Sequence, residues 1–236
     1  MSYAKRLCLV LVVAASALAA VAQSRVPRRL EYGVLGGATM GRYTFDPKIT
    51  QDMAKGYTFG VGVRYIEEKY FGLQAEAILT RRGFRDRYDL FPDLNFERDL
   101  TYLEIPVMAH VYFELGKRSV VSFDAGPKFG SFLWDKTTGN LPDDFGREGT
   151  ETQNYHVEHH SMSVHNNFDY GIQAGLGYEF NVTRRLSIEL SGRYYFGLGN
   201  IFPNDKTDTF ENSSNQHVQI VLSVWWKHWI ARRRAE

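Results

Sequence analysis

Eight segments of strict apolar–polar alternation, joined by connections that are alternately very short and long, constrain this chain more than any other feature in it. A period of two sends successive side chains to opposite faces of a strand, so each segment offers one apolar face and one polar face. The first runs from Tyr32 to Gly41, with Tyr32, Val34, Gly36, Ala38 and Met40 on one side. The second sets Tyr57, Phe59, Val61, Val63 and Tyr65 against Thr58, Gly60, Gly62 and Arg64. The third, from Tyr70, sets Phe71, Leu73, Ala75, Ala77 and Leu79 against Gly72, Gln74, Glu76 and Thr80. The fourth is the cleanest, with Leu103, Ile105, Val107, Ala109, Val111 and Phe113 opposite Glu104, Pro106, Met108, His110 and Tyr112. The remaining four, around Val121–Gly130, Phe168–Phe180, Leu186–Leu198 and Val218–Trp226, follow the same rule. A helical period fits none of them, and the chain reads as all-β.

The connections decide which kind of β protein this is. Glu67-Glu68-Lys69, Gly116-Lys117-Arg118 and Asn181-Val182-Thr183-Arg184 are tight polar turns, whereas long polar links fall near 42–56, 81–99, 135–164 and 200–216. Short turns on one side and long loops on the other are the pattern of a bacterial outer-membrane barrel. The expected fold is therefore an eight-stranded antiparallel up-and-down transmembrane β-barrel, with both termini periplasmic. Aromatics at the strand ends form two expected girdles. Tyr65, Tyr70, Phe71, Phe113, Phe180, Trp225, Trp226 and Trp229 would ring the periplasmic edge; Phe59, Tyr102, Trp134, Phe168, Tyr170 and Phe196 would ring the outer one. A soluble barrel needs a wet outward face, and here that face is apolar.

Residues 1–22 read as a secretory signal: Lys5 and Arg6, an apolar run from Leu7 to Val21, and Ala20-Val21-Ala22 before Gln23. Residues 23–236 form the expected barrel domain. Cys8, the one cysteine, would leave with the signal, which excludes disulfides and thiolate chemistry from the mature chain. The mean hydropathy is negative, as it must be when only every second residue meets lipid. A net charge of +1 argues against nucleic acid as a partner.

Tyr102-Leu103-Glu104-Ile105-Pro106-Val107, Ala125-Gly126-Pro127-Lys128-Phe129-Gly130, Phe168-Asp169-Tyr170-Gly171 and Arg193-Tyr194-Tyr195-Phe196-Gly197-Leu198-Gly199-Asn200-Ile201 resemble segments of the PorT-like outer-membrane β-barrel family of Bacteroidetes. The resemblance spans essentially the whole mature chain. It implies the barrel fold and the outer-membrane address. The founding member's link to protein secretion implies a place in an envelope assembly. The chain departs from the common aromatic terminus of such barrels, since Ala231-Arg232-Arg233-Arg234-Ala235-Glu236 follows Trp229-Ile230. That moves the expected insertion signal inward, to Val224–Trp229.

The inward face carries Arg64, Glu76, Glu104, Asp124, Lys128, Asp169, Glu179, Glu189 and Arg193. Eight strands leave a bore that side chains fill, so these charges read as a structural plug of ion pairs and hydrogen bonds. The excess of acids over bases offers the sharper reading of a proton or ion path. His156, His159, His160 and His165 crowd the longest link and form a candidate zinc or copper cluster, set against a plain histidine-rich solvated loop. Arg81, Arg82, Arg85 and Arg87 open the second long link, either as an exposed charged face or as a lipopolysaccharide contact. His110, Ser122 and Asp124 lie close enough on adjacent strands to raise a lipid-modifying enzyme, but no nucleophile elbow accompanies them. The sequence thus points to a non-catalytic outer-membrane protein without a cofactor, structural or scaffolding in role. Its expected partners are membrane lipid, lipopolysaccharide and other envelope proteins. A lipid-modifying enzyme and a small pore are the alternatives.

Overall fold

The computed structural model describes residues 28–146, 157–203 and 211–230, and in it the alternating segments pair into one closed ring. The expected signal segment and Arg232–Arg234 lie outside the described residues. The elements are β1 (Arg29–Asp46), β2 (Gln51–Asp52), β3 (Ala54–Ile66), β4 (Phe71–Arg87), β5 (Asn95–Leu115), β6 (Ser119–Gly139), a helical turn α1 (Glu158–Ser161), β7 (Phe168–Asn181), β8 (Leu186–Asn200) and β9 (Asn212–Trp229). β2 pairs with the far end of β4, and the other eight strands make the wall. Every wall pair is antiparallel and joins neighbours in sequence, with β1 pairing along its whole length to β9 so that first meets last. This is the eight-stranded up-and-down barrel.

The register follows from the turns. Between β5 and β6 the chain reverses at Gly116, whose φ of 81° suits glycine and strains other residues. Between β7 and β8, Thr183 Oγ1 accepts hydrogen bonds from the backbone N–H groups of Arg185 and Leu186 and holds the corner. Both ends of the wall leave on this short-turn side, where Arg29 pairs with Ile66 and with Trp229.

Outward residues form an apolar belt that includes Val34, Val61, Leu73, Ile105, Leu176, Leu190 and Ile220, all exposed. Buried like this in lipid, each backbone group must bond within the wall, and the closed ring satisfies that demand. Tyr65, Tyr70, Phe71, Phe113, Phe180, Trp226 and Trp229 stand at the short-turn edge of the belt and Phe59, Trp134, Phe168, Tyr170 and Phe196 at the other.

Two girdle assignments are corrected. Trp225 is fully buried in the bore, on the inward face where the alternation of its strand puts it with Gln219 and Ser223, and Tyr102 is fully buried on the same face as Glu104. Both follow from parity, because each is an even step from an inward residue. Gly33 and Gly62 make room for the Trp225 indole: a Cβ on Gly33 would stand 2.5 Å from its Cε3, and one on Gly62 2.9 Å from its Cη2.

The long links are shorter than the sequence pattern suggested. Strand continues through 42–46, 81–87, 95–99, 135–139 and 212–216. There the outward face meets water, not lipid, so polar residues occupy it and the apolar-outward alternation that marks the wall strands is lost. The exposed arginine face at 81–87 is corrected in part for the same reason. Arg85 and Arg87 point out, Arg81 is half-buried, and Arg82 is sealed inside with Phe84 and Asp86.

A folded barrel in detergent will run faster on a gel unboiled than boiled. Val34→Pro, which removes a ladder donor from the middle of β1, will abolish that shift. A shift that survives in the proline variant would contradict the closure described here.

Candidate functional site

The bore holds a network of buried polar side chains centred on Arg64 of β3. Its side chain is 1% exposed, its Nε donates to Gln74 Oε1 at 2.7 Å, and its two terminal nitrogens reach Glu31, Glu179 and Glu189 at 3.1, 2.9 and 2.6 Å. The guanidinium lies over the Trp225 ring, 4.3 Å from its centroid, and the indole N–H donates to Glu189 at 2.9 Å. One planar cation with five donors thus ties together side chains from β1, β3, β4, β7, β8 and β9.

Further along the bore, Arg193 grips Glu76 through both terminal nitrogens, at 2.7 and 3.0 Å. Lys128 donates to Glu104 at 2.7 Å and stands over the Tyr195 ring. Arg82 bridges Glu104, Asp169 and Asn215. Towards the short turns, Lys227 binds Glu179, Arg29 binds Glu31, and Ile66, Tyr112 and Val120 form a small apolar floor.

Each sequence-predicted interior residue, Arg64, Glu76, Glu104, Asp124, Lys128, Asp169, Glu179, Glu189 and Arg193, is buried; Asp124 is hydrogen-bonded to His110, and the others pair with an opposite charge. Glu31, Arg29, Arg82 and Lys227 belong to the same network and were missed, since they lie beyond the segments where the apolar alternation is legible. With them seven acids face six bases, and the charge excess that suggested an ion path falls from three to one. The His110–Ser122–Asp124 neighbourhood is also buried in the wall's interior. His110 Nδ1 donates to Asp124 at 2.6 Å, while the Ser122 hydroxyl donates to the same carboxylate at 3.5 Å and not to the imidazole. A nucleophile needs its proton taken by the base, so this order does not build an acyl-transfer triad.

Above the belt the long-loop mouth is closed by an apolar cap. Tyr43, Phe45, Phe84, Tyr88, Phe96, Leu100, Tyr102, Phe145, Ile201 and Phe202 bury together there. Phe45 meets Phe84 edge-on at 5.3 Å, and Phe202 stacks on Phe45 at 6.0 Å. The α1 turn sits in this cap. Arg98 of β5 anchors it by donating to the carbonyls of His159 and Met162 while pairing with Asp135.

Of the four loop histidines, His159 and His160 converge on Asp86, whereas His165 is exposed elsewhere and His156 lies outside the described residues. His159 Nε2 is 2.6 Å and His160 Nε2 2.9 Å from the same oxygen, Asp86 Oδ2. Burial alone would raise the Asp86 carboxyl, but the two imidazole hydrogen bonds outweigh it and hold the group below its ordinary value. The sequence shows Asp86 among the charges of the second long link but does not join it to these histidines, which the extension of β4 brings it to across more than 70 residues.

Arg64→Ala will strand three carboxylates in the bore. It should destabilise the barrel by about 3–5 kcal/mol, read from the urea midpoint of the folded gel band, and adding Glu189→Gln should recover part of the loss. An unchanged midpoint would show that water, not Arg64, satisfies those acids.

The model of a family described as outer membrane protein beta-barrel domain matches residues 21–203. Solved barrels with a similar trace include the outer membrane protein OprG from Pseudomonas aeruginosa, at 10% identity over 87% of this chain and 98% of that one, TM-score 0.47. The E. coli outer membrane protein W aligns at 13% identity over 87% and 100%, TM-score 0.44. Ail, the attachment invasion locus protein of Yersinia pestis, aligns at 14% over 84% and 98%, TM-score 0.41. No curated protein matches the sequence.

Proposed function

The chain belongs to the outer membrane protein beta-barrel domain family, and on that premise we propose that it is a non-catalytic integral component of the outer membrane, a scaffold within an envelope or protein-secretion assembly. The observation that carries this reading is the filled bore. Arg64 joins opposite walls through three carboxylates, and the aromatic cap lies over the outer mouth, so the barrel offers surfaces and not a passage.

The proposed orientation puts the short turns and both termini in the periplasm and the cap at the cell surface, in contact with lipopolysaccharide. The short-turn rim supports it. A recess of about 740 Å³ there is lined by Arg29, Lys117, Arg118, Arg184, Arg185 and Lys227, a basic surface suited to anionic headgroups or an acidic periplasmic partner. The Tyr102–Val107 and Ala125–Gly130 segments support membership of the PorT-like branch and, through it, the link to secretion.

An epitope-tagged copy crosslinked in the native outer membrane will bring down other envelope proteins in stoichiometric amount. Arg118→Glu with Arg185→Glu will weaken that recovery if the partner docks on the basic rim. Recovery of the barrel and lipid alone would sink the assembly role.

A further inference from the structure

We propose that Asp86, His159 and His160 form a binding site for a late first-row divalent cation, zinc or copper, that ties the loop after β6 to the extended end of β4. Their ligand atoms all lie within 4.8 Å of one another. Two imidazole nitrogens and a carboxylate are a donor set that suits these cations, and a fourth position remains for water or a phenol.

Three observations separate this cluster from an ordinary hydrogen-bonded histidine pair. Both Nε2 atoms point at one carboxylate oxygen, while the other, Asp86 Oδ1, is buried with no hydrogen-bond partner among the described residues. Crowding one oxygen and leaving its twin dry is a poor arrangement for protons alone; a cation held between Nε2, Nε2 and the carboxylate uses it better. Tetrahedral ligands at zinc distances stand about 3.3 Å apart, so a small opening of the present contacts admits the ion. The Tyr88 hydroxyl is already at that separation, 3.3 Å from His160 Nε2 and 3.4 Å from Asp86 Oδ2.

The surroundings fix the rings. Phe96 stacks on His160 with centroids 3.7 Å apart, and Phe45 and Phe84 flank His159 at 5.6 Å each. A dry aromatic shell of this kind holds ligands in place and favours the metal over bulk water. An entry route exists as well. A recess of about 360 Å³ reaches Asp86 and Tyr88; its rim carries Asp52 and Asp89, paired with Arg87, and Arg85. The consequence is a staple across the cap. Asp86 is on the wall and the two histidines are on the loop, so an ion between them joins chain segments more than 70 residues apart.

The test uses the full-length barrel purified from membranes, stripped with chelator and titrated with zinc chloride by calorimetry. The expected result is one zinc ion per chain. A His159→Gln/His160→Gln variant, and separately Asp86→Asn, should weaken binding more than about 100-fold, beyond what losing an outer partner of a ligand costs. His165→Ala should leave the affinity unchanged. Each variant is checked for the folded gel band, and copper added in place of zinc should give an electron paramagnetic resonance spectrum split by two imidazole nitrogens. Absence of saturable binding in the folded wild type would overturn the proposal. So would binding that survives the double variant, or that depends on His165.

Discussion

A backbone that crosses a bilayer has no water to satisfy an unpaired N–H or C=O, and each one left open costs several kcal/mol. The pairing of β1 with β9 along their whole length removes the two edges that would otherwise carry that cost. The rest of the structure depends on it. With eight strands the ring is narrow, inward side chains from opposite walls reach one another, and whatever the sequence places inside must form a packed solid.

That solid is polar for a reason visible in the parity of the strands. The outward residues are committed to lipid, so every charge in the spanning segments is directed inward. There the charges must be paired, since an isolated ion in such a setting is far more costly than a neutral group. Arg64 meets this demand with a single flat cation shared among three acids, and Arg193, Lys128 and Arg82 repeat the device along the bore. The aromatic cap extends the same logic above the lipid, where an apolar core between strand ends and loops becomes possible because the outward face is wet. Within that apolar shell, among the described residues, Asp86 of β4 meets His159 and His160 of the loop after β6.

Alternation made the eight wall strands and the interior charges from Arg64 to Arg193 legible in the sequence, because lipid outside and packing inside impose opposite polarity on successive residues. The signal stops where the lipid stops. Above the belt, residues such as Arg42, Arg85 and Arg87 are solvated, and the strand extensions look like loop. Arg82 and Asp86 were hidden by that, as was Glu31 at the other end. Trp225 and Tyr102 misled for a different reason: residue type suggested a membrane girdle while parity placed them inside with Arg64 and Arg82. The meeting of Asp86 with His159 was beyond sequence reading altogether, since it rests on where a long loop folds back and not on any local pattern.

Whether the bore is a solid decides between a scaffold and a conduit, and planar-bilayer recording of the purified wild-type barrel at high salt tests it most directly. The account predicts a current indistinguishable from the bare membrane after insertion has been verified by the folded gel band. Steady, reproducible conductance steps would contradict it, because they require a water-filled path through side chains that here close on one another.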